Sequence, residues 1–145
     1  MMTGMSGNTG TLFDKFPAPP SATLLGWRLI SLDTAAGEIE LGFEGRPEFV
    51  NPMGIVQGGF LSAMLDDTMG PLMVAMTEGR MFGTTIDLHV HFLRPVRPGP
   101  ITAKARMTQL GKQIAYAEGQ LFDSQRRLAA RATCSALLVE LPARG

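Results

Sequence analysis

One stretch of about twenty residues, Gly58 to Thr77, lies between two groups of strand-like segments and shows no strand alternation of its own. Placed on a helix at about 100° per residue, Leu61, Met64, Leu65, Thr68, Leu72, Ala75 and Met76 gather on one side. That stripe must face a core, and strands are what the rest of the chain offers to cover it. The opposite side carries Ser62, Ala63, Asp66 and Gly70, small residues around one acid, where another backbone or a ligand could come close. Pro71 lacks an N–H and so leaves the carbonyl of Asp67 without its usual helical partner.

Upstream of the helix, LLGWRLISLD and GEIELGFE read as a hairpin joined by TAAG, with Ile39, Leu41 and Phe43 alternating against Glu38, Glu40 and Gly42. RPEFVNPMG is an irregular link. Downstream, TTIDLHVHFLRP, ITAKARMTQL, QIAYAEGQLF and RLAARATCSALLVEL predict four strands in an antiparallel meander. In the first of them Ile86, Leu88, Val90 and Phe92 alternate against Thr85, Asp87, His89 and His91, and Pro95, Pro98 and Pro100 end it. Two strands, one long helix and four strands make the class α+β. Residues 1–10 have no period and predict a mobile tail, and the prolines of FPAPPSA predict an extended lead-in rather than a helix. Residues 1–23 therefore read as a mobile or extended N-terminal segment and residues 24–142 as a single domain.

Composition narrows the function classes. At 145 residues and 45% apolar, the chain suits one domain with a sizeable core. Thirteen basic residues balance thirteen acidic ones, so no net field would recruit nucleic acid or an anionic membrane. The single Cys134 excludes an intrachain disulfide and fits a reducing cytosol. No apolar run approaches the roughly 18 residues of a membrane span, and MMTGMSGNTG lacks the charged and apolar regions of a signal peptide. The expectation is a soluble cytoplasmic protein. His89 and His91 have no Cys or acid at zinc-ligand spacing, so no metal site is expected. GxSxG, GxGxxG and P-loop signatures are absent.

The order of elements, the NPxGxxxGG segment opening the helix, Asp66 nine residues after Gln57, and the downstream GTTIDLHVHFLRP together resemble the hotdog-fold acyl-CoA thioesterases of the PaaI-like group, over roughly residues 24–140. The resemblance implies a hotdog fold, a curved antiparallel sheet of about six strands wrapped around one long central helix, with subunits joined edge to edge. It implies no cofactor beyond the coenzyme A of the substrate, and an aromatic or medium-chain acyl group. By the family pattern the backbone N–H of Gly58 polarises the thioester carbonyl, the Asn51 side-chain amide assists, and Thr85 stands where a hydroxyl often helps hold the water. The family usually carries a histidine where this chain has Gln57. Glutamine keeps a donor and an acceptor but does not titrate.

Geometry adds a constraint of its own. Gly58 and Asp66 are eight residues apart, about 12 Å along a helix axis at about 1.5 Å per residue. One acyl carbonyl cannot touch both, so a shared thioester requires two subunits with helices antiparallel across a two-fold axis. Asp66 is the better acid of the pair because Asp67 is turned about 100° toward the flank. It would act as general base or as nucleophile through a mixed anhydride. Gly59, Ser62 and Met73 are candidate substrate-binding residues, as is Arg94, which with Arg97, Lys104 and Arg106 could meet coenzyme A phosphates. The leading reading is an acyl-CoA thioesterase, dimeric or a dimer of dimers. The alternative is an acyl-CoA or acyl-carrier binding protein that has lost turnover through Gln57. A related dehydratase is disfavoured because no histidine precedes the helix.

Overall fold

The computed structural model describes residues 9–142. Helix α1 spans Pro20–Leu25, strands β1 and β2 span Arg28–Asp33 and Glu38–Gly45, and helix α2 spans Gly58–Met76. Four strands follow: β3 Met81–Phe92, β4 Gly99–Leu110, β5 Ile114–Phe122 and β6 Leu128–Glu140. They form one antiparallel sheet in the order β1-β2-β4-β5-β6-β3, curved around α2. This is the hotdog arrangement that the family resemblance implied.

The four-strand meander needs correction. Only β4, β5 and β6 follow one another in space. β3 pairs with β6, from Met81↔Glu140 to Phe92↔Ala130, while β4 lies against β2, from Glu38↔Arg106 to Gly45↔Gly99. The cause is the link between β3 and β4. Residues 93–98 include two prolines and exceed a tight hairpin turn, so the chain is free to cross to the far strand.

Side-chain size is divided unequally between the layers. Leu61, Met64, Leu65, Met69, Leu72 and Met73 of α2 are all buried. Facing them are Ala103 and Ala105 of β4, Ala115 and Ala117 of β5, and Ala130, Ala132 and Ala136 of β6. A β-carbon on Gly119 would lie 3.2 Å from Cδ2 of Leu65. The large helical side chains thus fill space that a small-residue sheet leaves open, which is how both layers reach close packing. Thr68, fully buried in this stripe, satisfies its hydroxyl by donating to the Met64 carbonyl at 2.7 Å.

The N-terminal expectations also change. Leu24 and Leu25 belong to α1, so β1 begins only at Arg28. Pro20 does not prevent this helix, because it occupies the first helical position, where its missing N–H removes no bond. Gly26, at φ 73°, then ends the helix in the left-handed region. Of the expected tail, residues 1–8 lie outside the described residues, whereas the N–H groups of Thr9 and Gly10 both donate to the Asp14 carboxylate. Phe13 is buried edge-on against Trp27, with ring centroids 5.6 Å apart.

Trp27 also solves the problem posed by Pro71. Helix α2 continues through the proline, and the orphaned carbonyl of Asp67 accepts a hydrogen bond from the Trp27 indole N–H at 3.0 Å. Removing that donor should leave the carbonyl unpaired. Trp27→Phe is therefore expected to lose about 1–3 kcal/mol in urea unfolding beyond its packing cost. In a Pro71→Ala background, where a helical N–H is available again, the same change should cost measurably less. Equal costs in both backgrounds would show that the indole does not act through this carbonyl.

Candidate active site

At its N-terminus α2 presents unpaired donors. Gln57 is the N-cap residue, yet its side chain makes no capping bond; its Oε1 lies over Gly59 instead. The Gln57 carbonyl accepts from the N–H groups of Phe60 and Leu61 at 3.0 and 3.3 Å. The N–H groups of Gly58 and Gly59, one turn too early for an intrahelical acceptor, point out at the positive end of the helix dipole.

The preceding loop is held against this end. Phe49 stacks on Phe60 with centroids 4.1 Å apart, the Gln57 N–H donates to the Phe49 carbonyl, and the Val56 N–H donates to the Val96 carbonyl. Asn51 spends its Oδ1 on its own loop, accepting from Met53 N–H at 2.9 Å and Ile55 N–H at 3.4 Å. That fixes the amide and leaves its NH₂ without an acceptor among the described residues. Asn51, Gly58 and Arg94 line one pocket of about 410 Å³ with Leu61, Phe92 and Val96.

A second constellation lies further along the helix. The Thr85 hydroxyl donates to Oδ1 of Asp66 at 2.8 Å, leaving the other carboxylate oxygen unbonded among the described residues. Plain alternation would have put Thr85 on the outer face with His89 and His91. Instead a β-bulge intervenes, in which Thr85 pairs with Ala136 and Asp87 with Ser135, so that Ile86 is the extra residue. The bulge exposes Ile86 and turns Thr85 inward toward Asp66.

The structure thus gathers Asn51, Gly58 and Arg94 at one end and Asp66 with Thr85 at another, about 12 Å away by helical rise. Other expected residues lie apart from either group. Ser62 turns its hydroxyl back to the Gly58 carbonyl at 2.9 Å, and Met73 is buried beneath Gly83 in the core. Lys104 and Arg106 border a separate polar groove on the outer face of the sheet with His89 and His91, and Arg106 is paired with Glu118 at 2.9 Å. Cys134 is buried, and burial pushes its thiol up to about 11, which keeps it protonated and unreactive. No three metal-ligating side chains cluster among the described residues.

Asp67 is the residue that sequence reasoning undervalued. One of its carboxyl oxygens, Oδ2, is buried with no hydrogen-bond partner among the described residues. Burial, and secondarily the neighbouring Asp66, push its carboxyl up to about 7. Part of the signal was present in the chain, since Asp67 lies one helical step from Asp66 and four residues before Pro71; the Trp27 contact on that flank was not.

Comparison with known proteins follows the same geometry. The model of the thioesterase superfamily matches residues 53–130. A phenylacetic acid degradation-related protein from Ralstonia eutropha JMP134 is 34% identical, over 85% of this chain and 92% of that one, with a TM-score of 0.81. The fold is also that of the E. coli PaaI protein from the phenylacetic acid degradation operon, 21% identical over 83% of this chain and 85% of that one, TM-score 0.73. It is likewise that of smu.793 from Streptococcus mutans UA159, solved bound to acetyl CoA, 14% identical over 81% and 91% of the two chains, TM-score 0.72.

The buried acid gives a pH prediction. Because the folded state holds the Asp67 proton up to about pH 7, against an ordinary value of 3.8, the native chain binds more protons than the unfolded one between those values. Stability should therefore fall as pH rises through this window. Asp67→Asn should raise the melting temperature at pH 8, by the equivalent of about 2–4 kcal/mol, with the advantage vanishing toward pH 4. Thermal melts across that range check it; an advantage equal at both ends would rule out titration of Asp67 as its cause.

Proposed function

The chain belongs to the thioesterase superfamily, and on that premise we propose that it hydrolyses an acyl-CoA to the free acid and coenzyme A, in a site completed by a second copy of the chain. The observation that carries this reading is the separation of the two constellations. The oxyanion donors, Gly58 at the start of α2 and Asn51 in the loop before it, and the acid Asp66 two turns along the same helix lie too far apart to serve one thioester. An antiparallel partner helix would bring the Asp66 of one chain to the Gly58 of the other.

The sheet offers a place for that partner. β3 is an edge strand, and Phe82, Ile86 and Phe92 along it are 46%, 61% and 51% exposed. An edge with unpaired backbone and exposed apolar side chains is suited to continuation by a second β3.

In this composite site the thioester oxygen accepts from the Gly58 N–H and the Asn51 amide, which stabilise the charge that develops on it. Asp66 of the other chain, oriented by Thr85, either takes a proton from water as its oxygen attacks the carbonyl carbon or attacks directly to form a mixed anhydride that water then opens. In both routes the C–S bond breaks, the thiolate gains a proton, and the acid leaves. Exposed Arg94 at the pocket rim is placed for the phosphates of coenzyme A. Support for this substrate class comes from the relative solved bound to acetyl CoA. The phenylacetic acid degradation-related relative supports an aromatic acyl group. Gln57 supplies hydrogen bonds without titrating, so the site works through Asp66 as its acid–base group.

The test is thiol release from an acyl-CoA panel. Wild type should turn over, and Asp66→Asn should lose about 10²–10⁴-fold in kcat. Co-refolding Asp66→Asn with Asn51→Ala, each weak alone, should restore about a quarter of wild-type activity, since half of random dimers are mixed and each mixed dimer has one intact site. No recovery in dimers shown to be mixed would place both half-sites within one chain. Binding of acyl-CoA without thiol release would instead favour a carrier or binding protein.

A further inference from the structure

Nothing in its backbone requires Gly58 to be a glycine. Its φ lies outside the left-handed region, and a serine or an acid would suit a helix start at least as well. What a side chain there would press on is Phe92. A β-carbon on Gly58 would lie 3.0 Å from Cζ of that ring and 3.3 and 3.4 Å from its two Cε atoms. The ring therefore faces the helix tip with its para edge, beside the place where a side chain would begin.

Phe92 ends β3 and is half exposed, so one side of the ring is unused by the core. The ring borders the pocket that holds Asn51, Gly58 and Arg94, opposite buried Leu61, Val56 and Val96. Charged, exposed Arg94 marks the solvent rim, and the buried apolar residues mark the floor.

From these contacts we infer that Phe92 is a specificity-determining residue: its ring sets the width of the acyl slot beside Gly58, admitting straight or flat acyl groups and excluding those branched at the carbon next to the carbonyl. The inference rests on the thioesterase reading above. A carbonyl oxygen accepting from the Gly58 N–H sits about 2.9 Å from the nitrogen. Its carbon lies about 1.2 Å further on, and the α-carbon is one bond beyond. The α-carbon must then pass between the ring tip and the apolar floor. A methylene or a planar aryl carbon presents a narrow profile there, whereas an α-methyl branch points into the ring. Because the ring tip already lies beside the place where a Gly58 side chain would begin, it has little space to retreat toward the helix.

The experiment compares kcat/KM for butanoyl-CoA, benzoyl-CoA and 2-methylpropanoyl-CoA in wild type, Phe92→Leu and Phe92→Ala, with circular dichroism and sizing to confirm folding. Wild type should favour butanoyl over 2-methylpropanoyl by about tenfold or more. Phe92→Ala should shrink that ratio by about tenfold, chiefly by faster turnover of the branched substrate, with Phe92→Leu between. A merely structural role would lower all three substrates together and leave the ratio unchanged. An unchanged ratio in folded Phe92→Leu or Phe92→Ala overturns the inference while the thioesterase reading stands. Absence of thiol release from any acyl-CoA by wild type overturns that reading and the inference with it.

Discussion

The molecule depends on the bulk of its core being carried by one helix. Leucine and methionine project from α2 into a sheet face built largely of alanine, with glycine at 83 and 119 where the approach is closest. Were the large residues on both layers, the sheet would have to stand off and flatten. Were they on neither, the core would be hollow. The small face of the sheet lets the strands curve about the helix, and the edge strand β3 then sits beside its flank. That position brings Thr85 to Asp66 and Phe92 to Gly58. Both candidate half-sites are therefore by-products of the same size asymmetry that packs the core.

Because one face of α2 is committed to burial, chemistry is left with what remains: the unpaired amides at its start and the small-residue side around Asp66. The helix is long enough that these lie about 12 Å apart. Its continuity past Pro71 depends in turn on an outside donor, the Trp27 indole, which is itself packed by Phe13. The segment preceding β1 thereby reaches the helix that carries the acid, although it contributes no residue to either half-site.

Much of this was legible in the chain because it depends on period and composition. The stripe on α2, the β1–β2 hairpin and the number of strands follow from side-chain spacing, and the order NPxGxxxGG then Asp66 carries the family. Strand order was not legible: alternation reports which residues share a face, never which strand lies beside which, and β3 paired with the last strand instead of the next. The bulge at Ile86 was equally hidden, since one extra residue reverses the face of Thr85 while leaving the apolar count of the segment almost unchanged. Helix α1 was missed because prolines forbidden inside a helix are welcome at its first turn. Contacts such as the ring of Phe92 on Gly58 join residues 34 positions apart. No local pattern encodes them.

The adjacent acids Asp66 and Asp67 show how one helical step divides roles. A rotation of about 100° gives Asp66 a hydroxyl partner at the surface and gives Asp67 a buried oxygen with none among the described residues. Two ionised carboxylates on one turn would repel, and burial resolves the conflict by keeping the proton on Asp67 up to about pH 7. Asp67 takes no part in the proposed bond-making, and the Thr85 hydroxyl makes Asp66 the carboxyl on this turn that is oriented for it.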